Sequence, residues 1–292
     1  MPKTKFKNYL HLHFLVFIWG FTAILGALIS IEAIPLVWYR MFFAVIFVLF
    51  FILLTKKSLK ISLKSLLKFL FTGIIIALHW IAFFSAIKIA NVSIALVAMS
   101  TGALFASLIE PLFFKRQLNH LELFFGLLVI IGLYIIFNVE KQYTLGIIYA
   151  LIASFLSALF TVLNGLYVKK HEAEVITFYQ LFFGVVFITI YILLSSTFTI
   201  EDFYLSISDV VYLLILSSIC TAYAFVVSVK IMKFLTPYTV MLTVNLEPVY
   251  GIILAVLIFG DKEKMNPQFY IGALLIIATV IINGALKNKK NT

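Results

Sequence analysis

The sequence predicts an all-α integral membrane protein with ten transmembrane helices, arranged as two inverted five-helix repeats. Three observations lead to this prediction. Of the 292 residues, 64% are hydrophobic and 12% are charged, whereas an ordinary soluble domain has roughly 25% charged residues. The hydrophobic residues form long runs that contain few charges. In addition, a pattern of residues in the first half of the chain recurs in the second half.

The scarcity of charged residues excludes a soluble fold of this size, because a soluble surface must be covered with polar groups. The chain has 22 Lys and Arg, 12 Asp and Glu, and a net charge of +10. These basic residues are scattered between apolar runs, so we expect no nucleic-acid interface. At about 20 residues per helix, ten helices leave no room for a separate soluble domain. The single cysteine, Cys220, permits neither a disulfide nor a cysteine-based metal site.

The apolar runs have the length that a transmembrane helix needs. A hydrocarbon core of about 30 Å takes about 20 residues at 1.5 Å per residue, and the fifth run is the shortest. The first run follows Lys3, Lys5 and Lys7, but it is too long for a signal peptide and is interpreted as a helix of the mature protein. The predicted spans are 9–31, 34–54, 69–87, 92–114, 123–137, 145–168, 175–198, 210–229, 240–259 and 269–286.

The distribution of Lys and Arg predicts the orientation. With the N-terminus in the cytoplasm, 17 basic residues fall on the cytoplasmic side and four on the other side, as is typical of membrane proteins. The connection between the seventh and eighth spans contains Glu201, Asp202 and Asp209 but no Lys, which fits the outer side. We therefore predict a multi-pass protein of the cell membrane with both termini in the cytoplasm.

An internal repeat is visible at a shift of 145 residues. Residues 86–91 (AIKIAN) fall on residues 231–236 (IMKFLT), and each copy leads into a long apolar run. The same shift places Arg116 on Asp261. The alternative interpretation is that apolar composition alone makes the two halves similar.

The repeat divides the chain into residues 1–140 and 141–292. Each part contains five predicted helices, and because five is odd the two parts enter the membrane from opposite sides. Transporters built from such repeats place their site between the repeats, near the middle of the membrane.

Several short motifs, taken in their order and spacing, resemble those of the EamA-type branch of the drug/metabolite transporter superfamily, and the resemblance covers nearly the whole chain. They lie in both repeats and are Trp19-Gly20, Pro35, Arg40, the units around Lys88 and Lys233, Gly126, Glu247-Pro248, Gly260-Asp261 and Gly272.

The resemblance implies a ten-helix exporter or exchanger of small metabolites, with two inverted bundles around a central cavity. Family substrates range from amino acids to nucleotide sugars, so the resemblance leaves the cargo open. The sequence departs from the family pattern where Lys115-Arg116 replaces an acidic residue at the end of the fourth helix, and where Asp261 stands in place of the commoner Glu.

Two charged residues lie well inside predicted spans, where an ionisable side chain costs about 2.5 to 3.5 kcal/mol unless it faces protein or water. Glu247 precedes Pro248, which removes a backbone donor and favours a broken helix at this point. Arg40 could pair with Glu247, bind an anionic group of a substrate, or satisfy carbonyl groups of a neighbouring helix. Glu247 is expected to line the cavity, and the alternative is a buried structural carboxyl group.

Polar residues recur at helical spacing on three spans, and each stripe either lines a cavity or joins helices. Cavity lining is favoured for the Glu247 stripe and helix contact for the Ser93 stripe, which Gly102 interrupts. With Pro248 and Gly20, Gly102 is a candidate hinge or packing residue. The stripes are Thr239, Thr243, Glu247 and Tyr250; Ser154, Ser157, Thr161 and Asn164; and Ser93, Ser100 and Ser107.

His79 and Trp80 fall near the middle of the third span. A neutral His in a bundle is more often a core residue than a proton carrier, although its ordinary titration range suits proton coupling. Trp80, Trp19 and Tyr223 are predicted to form an aromatic wall for a partly apolar substrate.

The sequence contains no G-x-x-x-x-G-K-[ST] loop and no G-x-S-x-G motif. We therefore predict a secondary or facilitative transporter, with amino acids as the best candidate cargo, and not an enzyme. An intramembrane enzyme or a structural subunit of a membrane complex is the alternative. The expected partners are a small-molecule substrate and the lipid bilayer, without cofactor, metal or nucleic acid, and the sequence is compatible with a monomer.

Overall fold

The described part of the chain, residues 3–115, 117 and 120–290, is helical throughout and contains no strand in this computed structural model. Three short 3-10 turns (Lys141–Tyr143, Ile200–Phe203, Gly260–Glu263) and one π-helical turn (Ser218–Tyr223) join some of the helices. The α-helices are α1 (Lys3–Leu28), α2 (Ala33–Leu54), α3 (Leu63–Ile89), α4 (Val92–Met99), α5 (Gly102–Phe114), α6 (His120–Val139), α7 (Thr144–Tyr167), α8 (Ala173–Leu194), α9 (Ile207–Ser217), α10 (Ala224–Ile231), α11 (Pro237–Val244), α12 (Glu247–Phe259) and α13 (Pro267–Lys290).

The described residues contain eight helical segments that are long and apolar enough to cross a membrane. They are Phe6–Leu28, Ala33–Leu54, Leu63–Ile89, Val92–Phe114, Lys141–Tyr167, Ala173–Leu194, Ile207–Ile231 and Pro237–Glu263. The fifth and tenth predicted spans fall on α6 and α13, whose apolar stretches are the shorter Phe124–Val139 and Pro267–Thr279. The prediction of an all-α, multi-pass membrane protein is confirmed.

Three of these segments are interrupted near their middle. The predicted span 92–114 is not one helix, because α4 ends before Ser100 and α5 begins after Thr101. In the second half, α11 and α12 are separated at Asn245 and Leu246, directly before Glu247 and Pro248. Pro248 is the second residue of α12, where its missing N–H leaves no helical hydrogen bond unmade. The π-helical turn separates α9 from α10.

The shift of 145 residues also relates the helix boundaries of the two broken spans. It maps α4 onto α11 and α5 onto α12 without any offset. The N-caps correspond as well: Asn91 Oδ1 accepts from Ile94 N at 2.8 Å, and Thr236 Oγ1 accepts from Thr239 N at 3.2 Å. Equivalent local sequence therefore starts and stops equivalent helices. Arg116, which the shift pairs with Asp261, lies outside the described residues.

The two broken spans contact each other at their interruptions. Because α4 ends there, the carbonyl of Ser100 has no helical partner, and Asn245 Nδ2 donates to it at 2.7 Å. Asn245 is the residue that the shift relates to Ser100. Close packing around this point uses glycine: a Cβ on Gly102 would lie 2.5 Å from Met241 Cε, and one on Gly20 would lie 3.0 Å from Tyr250 Cβ.

Carboxylates from each half cap a helix of the other half. Glu263 accepts from Val92 N (3.0 Å), Ser93 N (2.9 Å) and Ser93 Oγ (2.7 Å) at the start of α4. Glu110 accepts from Tyr238 N at 2.8 Å at the start of α11. A carboxylate suits this position because a helix N-terminus presents unpaired N–H groups and a positive partial charge. Ser93 thus joins helices, as predicted for its stripe.

The helices α6 and α13 approach each other through a pair of glycines. A Cβ on Gly132 would lie 3.0 Å from the carbonyl oxygen of Gly272, and a Cβ on Gly272 would lie 2.8 Å from that of Gly132. The two backbones therefore approach each other closely, with the side chains of Ile276 and Ile136 packed beside the glycines, as small residues allow between membrane helices.

Candidate functional site

A cavity of about 80 Å³ lies where the broken spans meet the surrounding helices. At about 10 to 15 Å³ per enclosed water, it holds several waters or one small organic group. The predicted site residues that line it are Trp19, Arg40, His79, Trp80, Asn164 and Glu247. The other lining residues are Thr22, Phe83, Met99, Ser157, Phe160, Thr161, Cys220, Phe225, Ser228, Met232, Val240, Met241 and Val244.

Arg40 is the largest fully buried side chain among the described residues, with 2% of its surface exposed. Its Nε donates to Thr221 Oγ1 at 2.7 Å, and its guanidinium lies 4.0 Å from the centroid of the Trp80 ring. Thr221 belongs to the π-helical turn, and its Oγ1 donates to Leu216 O at 2.7 Å, so it can accept from Arg40. Arg40 Nη1 is buried and has no hydrogen-bond partner among the described residues.

Glu247 is the first residue of α12 and is partly buried. The break before it brings a helix N-terminus to the cavity, where the positive end of the helix favours a carboxylate. Within the described residues, Arg40 and Glu247 approach no closer than the 4.0 Å limit of a salt bridge. The ion pair that the sequence allows is therefore not formed, and both charged groups face the cavity.

Aromatic side chains form much of the cavity wall. Trp19 Nε1 donates to Cys220 O at 3.1 Å, which uses a carbonyl of the π-helical turn. Trp80 packs on Phe225 with ring centroids 6.0 Å apart, and Phe225 lies 5.8 Å from Phe160. Trp19 and Trp80 thus lie where the sequence predicts an aromatic wall.

Tyr223, the third predicted member of this wall, lies elsewhere. It is 41% exposed, and its hydroxyl is 2.8 Å from His11 Nε2. The prediction assumes an uninterrupted α-helix, but the π-helical turn takes more residues per turn and rotates Tyr223 away from the cavity. The same turn directs Thr221 and the carbonyl of Cys220 inwards.

His79 both lines the cavity and makes a structural contact. Its Nδ1 is 2.7 Å from Ala153 O, and because a carbonyl can only accept, Nδ1 carries the hydrogen. The ring also packs against Phe160, with centroids 5.2 Å apart. In the neutral ring, this assignment leaves Nε2 as an acceptor.

Thr243 and Tyr250, although predicted on the Glu247 stripe, lie outside the cavity lining. Thr243 is buried and donates to Thr239 O at 2.9 Å. Tyr250 packs its ring against Phe17, with centroids 5.5 Å apart. For Thr243 the physical reason is the break between α11 and α12, because residues on opposite sides of a break no longer share one helical face. Tyr250 lies on the same helix as Glu247, and its ring packs against Phe17 of α1 instead of facing the cavity.

Sequence reasoning missed Glu110, which is 4% exposed within α5. Its signal was available: Glu110-Pro111 repeats the dipeptide Glu247-Pro248 in another charge-poor run. It also missed the interruption at Ser100 and Thr101, where neither proline nor charge marks the break.

Comparison with known proteins agrees with this architecture. The model of the EamA-like transporter family matches the chain twice, at residues 8–138 and 144–285. A protein described as an uncharacterized transporter of Clostridium kluyveri is 24% identical over 214 residues, which cover 70% of this chain and 68% of that protein. Another so described, from Archaeoglobus fulgidus, is 24% identical over 204 residues, covering 69% of each.

The fold is also similar to that of a solved protein structure. One crystal structure, at 14% sequence identity, covers 97% of this chain and 98% of its own with a TM-score of 0.71. At this identity the likeness concerns the fold alone. The two family matches together span most of the chain, on both sides of the repeat boundary. The chain belongs to the EamA-like transporter family.

Proposed function

We propose that the protein is a secondary or facilitative transporter that exports or exchanges small organic metabolites, with amino acids as the best candidate. It works by alternating access between two inverted repeats in a ten-helix membrane domain. The observation that carries the proposal is the cavity at the contact of the two broken spans, because Arg40 comes from one half and Glu247 from the other. A movement of one half against the other changes the access to both groups.

The pattern of helix contacts supports the inverted repeat. The pair α4 and α12 has its counterpart in α11 and α5, and the pair α2 and α9 has its counterpart in α8 and α3. The helices α6 and α13 are each other's counterparts and contact each other. A two-fold axis in the membrane plane produces such reciprocal contacts between inverted repeats.

The chemistry of the cavity favours a ligand with both an anionic and a cationic group. The Arg40 guanidinium is planar and has Nη1 unpartnered, so it suits a carboxylate. Glu247 offers a complementary partner for an amine. The lining also includes Met99, Met232 and several aromatic rings, which suit an apolar side chain. An apolar amino acid combines these three features in one small molecule.

The two ends of the bundle differ in this conformation. The cavity lining reaches Met232 and Val240 at the end that the positive-inside rule assigns to the cytoplasm. At the other end, Asp209 accepts from Ser30 N and Ser30 Oγ, both at 2.7 Å, and Lys88 Nζ donates to Ile29 O. These contacts tie the outer ends together, as an inward-facing state requires.

The orientation is tested by cysteine labelling from one side of the membrane. We expect cysteines placed at residues 201–209 to react with an impermeant reagent from outside. Cys220 is buried and supplies little background. Labelling only from the cytoplasmic side would contradict the orientation.

The transport activity is tested with purified protein in liposomes and a flux screen of amino acids, sugars and cationic drugs. We expect saturable flux of amino acids. If only nucleotide sugars moved, the family assignment would remain and the proposed cargo would be wrong. An enzyme or a structural subunit would show no saturable flux at all.

The role of Glu247 is tested by Glu247→Gln, which keeps the shape of the side chain and removes its charge. We expect near-normal yield of folded protein and a flux reduced about tenfold, equivalent to about 1.4 kcal/mol in the transport barrier. Glu201→Gln, on an exposed connection, is the matched control and should leave the flux unchanged. Full activity with unchanged pH dependence in Glu247→Gln would make Glu247 structural and turn attention to Arg40 and His79.

A further inference from the structure

A row of buried polar side chains leads from the cavity to one end of α8. Glu174, Thr177 and Gln180 follow each other at intervals of three residues, and they are 3%, 0% and 0% exposed. Gln180 Nε2 donates to Asn164 Oδ1 on α7 at 2.6 Å. Because Asn164 lines the cavity, the row reaches from the cavity to the first turn of α8.

Each member of the row has one polar atom without a hydrogen-bond partner among the described residues. These atoms are Glu174 Oε2, Thr177 Oγ1, Gln180 Oε1 and Asn164 Nδ2. An unpartnered polar atom in a protein interior is costly, and native structures satisfy such atoms with buried water. Four such atoms along one path indicate a continuous set of water positions.

The spacing of the row suits single waters between neighbouring side chains. Three residues of an α-helix rise about 4.5 Å. Two successive hydrogen bonds of about 2.8 Å each span up to about 5.5 Å. One water can therefore bridge each neighbouring pair of the row on α8. On one side the row is sealed by α3, since a Cβ on Gly73 would lie 2.4 Å from Gln180 O.

The far end of the row opens at charged residues on the predicted cytoplasmic surface. Glu174 Oε1 is 2.8 Å from Lys57 Nζ, and the Lys57 side chain is 29% exposed. Glu172 lies 4.0 Å from Lys57 and 3.4 Å from Lys233, and Lys230 on α10 acts on Glu174 electrostatically. Protons can therefore exchange with solvent at this end without passing Met232 and Val240 at the mouth of the cavity.

We propose that Glu174, Thr177, Gln180 and Asn164 hold a file of waters that conducts protons between the surface at Lys57 and the central cavity. The proton thus has a path separate from that of the substrate, and substrate movement is coupled to the proton gradient. This coupling rests on the transport function proposed above, whereas proton conduction by the file does not. A monovalent cation bound by the same oxygens is the competing occupant.

The test uses proteoliposomes that contain a trapped pH-sensitive dye, with wild type, Thr177→Val and Gln180→Leu. An equimolar mixture of the twenty amino acids serves as the probe for transport. We expect the proton flux that accompanies amino-acid movement to fall about tenfold in both variants. Counterflow of labelled against unlabelled amino acids, with equal pH on both sides, should stay within about twofold of wild type.

A second arm needs no cargo and records proton entry after a pH jump without amino acids. Because the file joins the cavity to the cytoplasmic side alone, a proton that uses it crosses the membrane when the empty protein exchanges between its two states. We expect entry into wild-type vesicles to be faster than into Thr177→Val or Gln180→Leu vesicles. Thr189→Val is the matched control, because Thr189 lies on the same helix and accepts from Trp38 Nε1 outside the row. It should behave as wild type in both arms.

The outcomes separate the two proposals. Absence of counterflow in wild type would contradict the transport function, while a difference between wild type and Gln180→Leu in the pH jump would still support the file. Unchanged proton flux in both variants, or an equal loss in Thr189→Val, would overturn the file. A flux that requires sodium and is insensitive to the pH gradient would replace the proton file by a cation site.

Discussion

The two broken spans share their backbone design and differ in the chemistry at the break. Both contain a helix of 8 residues followed by one of 13 residues, and both begin with a side chain that caps the first turn. The first residue after the break is Gly102 in one copy and Glu247 in the other. The repeat thus duplicates the means of interrupting a helix, while the charge is placed in only one copy.

The supports at the ends of the broken spans differ in a similar way. Glu263 accepts three hydrogen bonds at the start of α4, two of them from backbone N–H groups. At the start of α11, Glu110 is the supporting carboxylate, and it reaches the helix from the last turns of α5, whereas Glu263 belongs to a 3-10 turn. Each half therefore depends on the other half to complete a helix, by different routes.

The largest effect is expected for Glu263→Ala. This change leaves the N–H groups of Val92 and Ser93 and the Ser93 hydroxyl without their acceptor in a buried place, at a cost of about 3 to 5 kcal/mol. The free energy of unfolding in mixed micelles measures it. Asp261→Asn is the control, because Asp261 is 88% exposed and its ion pair with Lys264 lies at the surface. An effect of the same size at both positions would show that Glu263 has no special role.

The second largest effect is expected when a charge is introduced at the first break, which lacks the carboxylate that Glu247 supplies at the second. Gly102→Glu places a carboxylate at the position equivalent to Glu247, but directly against Met241 Cε and Ser154 Oγ, where the cavity wall has no room for it. We expect a loss of about 3 kcal/mol in stability, as for an uncompensated charge in the membrane. Gly102→Ala should cost much less, since it displaces only the flexible end of Met241. If Gly102→Glu were as stable as Gly102→Ala, the two breaks would be chemically interchangeable.

The smallest effect is expected where the two breaks contact each other. Asn245→Ala removes the hydrogen bond to the carbonyl of Ser100 and should cost about 1 to 2 kcal/mol. The same measurement of unfolding detects it. Asn138→Ala provides the comparison, because Asn138 is exposed and donates only to Tyr134 O within its own helix. Equal losses in the free energy of unfolding would mean that the contact between the breaks does not stabilise the protein.

The sequence singles out those cavity-lining residues that are rare in their surroundings. Arg40, Glu247, Trp19, His79 and Trp80 stand out in apolar spans, and the structure brings all five to one cavity. A charged side chain or a large polar ring cannot face lipid without an energetic cost. Its presence in an apolar span therefore indicates that it faces the interior of the helix bundle.

The side chains that the sequence places wrongly lie mostly at or beyond departures from α-helical geometry. Tyr223 and Thr243 are misplaced by an argument from helical spacing, because a π-helical turn or a break changes the facing of the residues beyond it. Tyr250 shares the helix of Glu247, but its ring packs against Phe17. The break before Glu247 is anticipated by Pro248, whereas the break at Ser100 and Thr101 and the π-helical turn carry no comparable local signal. Glu110 was accessible from the sequence, since it shares its following proline with Glu247.

The contact between Gly132 and Gly272 has a consequence for how this protein can evolve. In most helix pairs, a larger residue on one helix can be accommodated by a smaller one on the other. Here each glycine faces an isoleucine side chain and the other's carbonyl oxygen. A smaller residue in place of the isoleucine can remove the first clash, but no substitution removes a backbone oxygen. A larger residue at Gly272, whose Cβ would lie 2.8 Å from the carbonyl oxygen of Gly132, therefore needs a shift of the backbone in addition to a smaller neighbour. Natural variation at Gly272 should be confined to lineages in which α6 and α13 have moved apart.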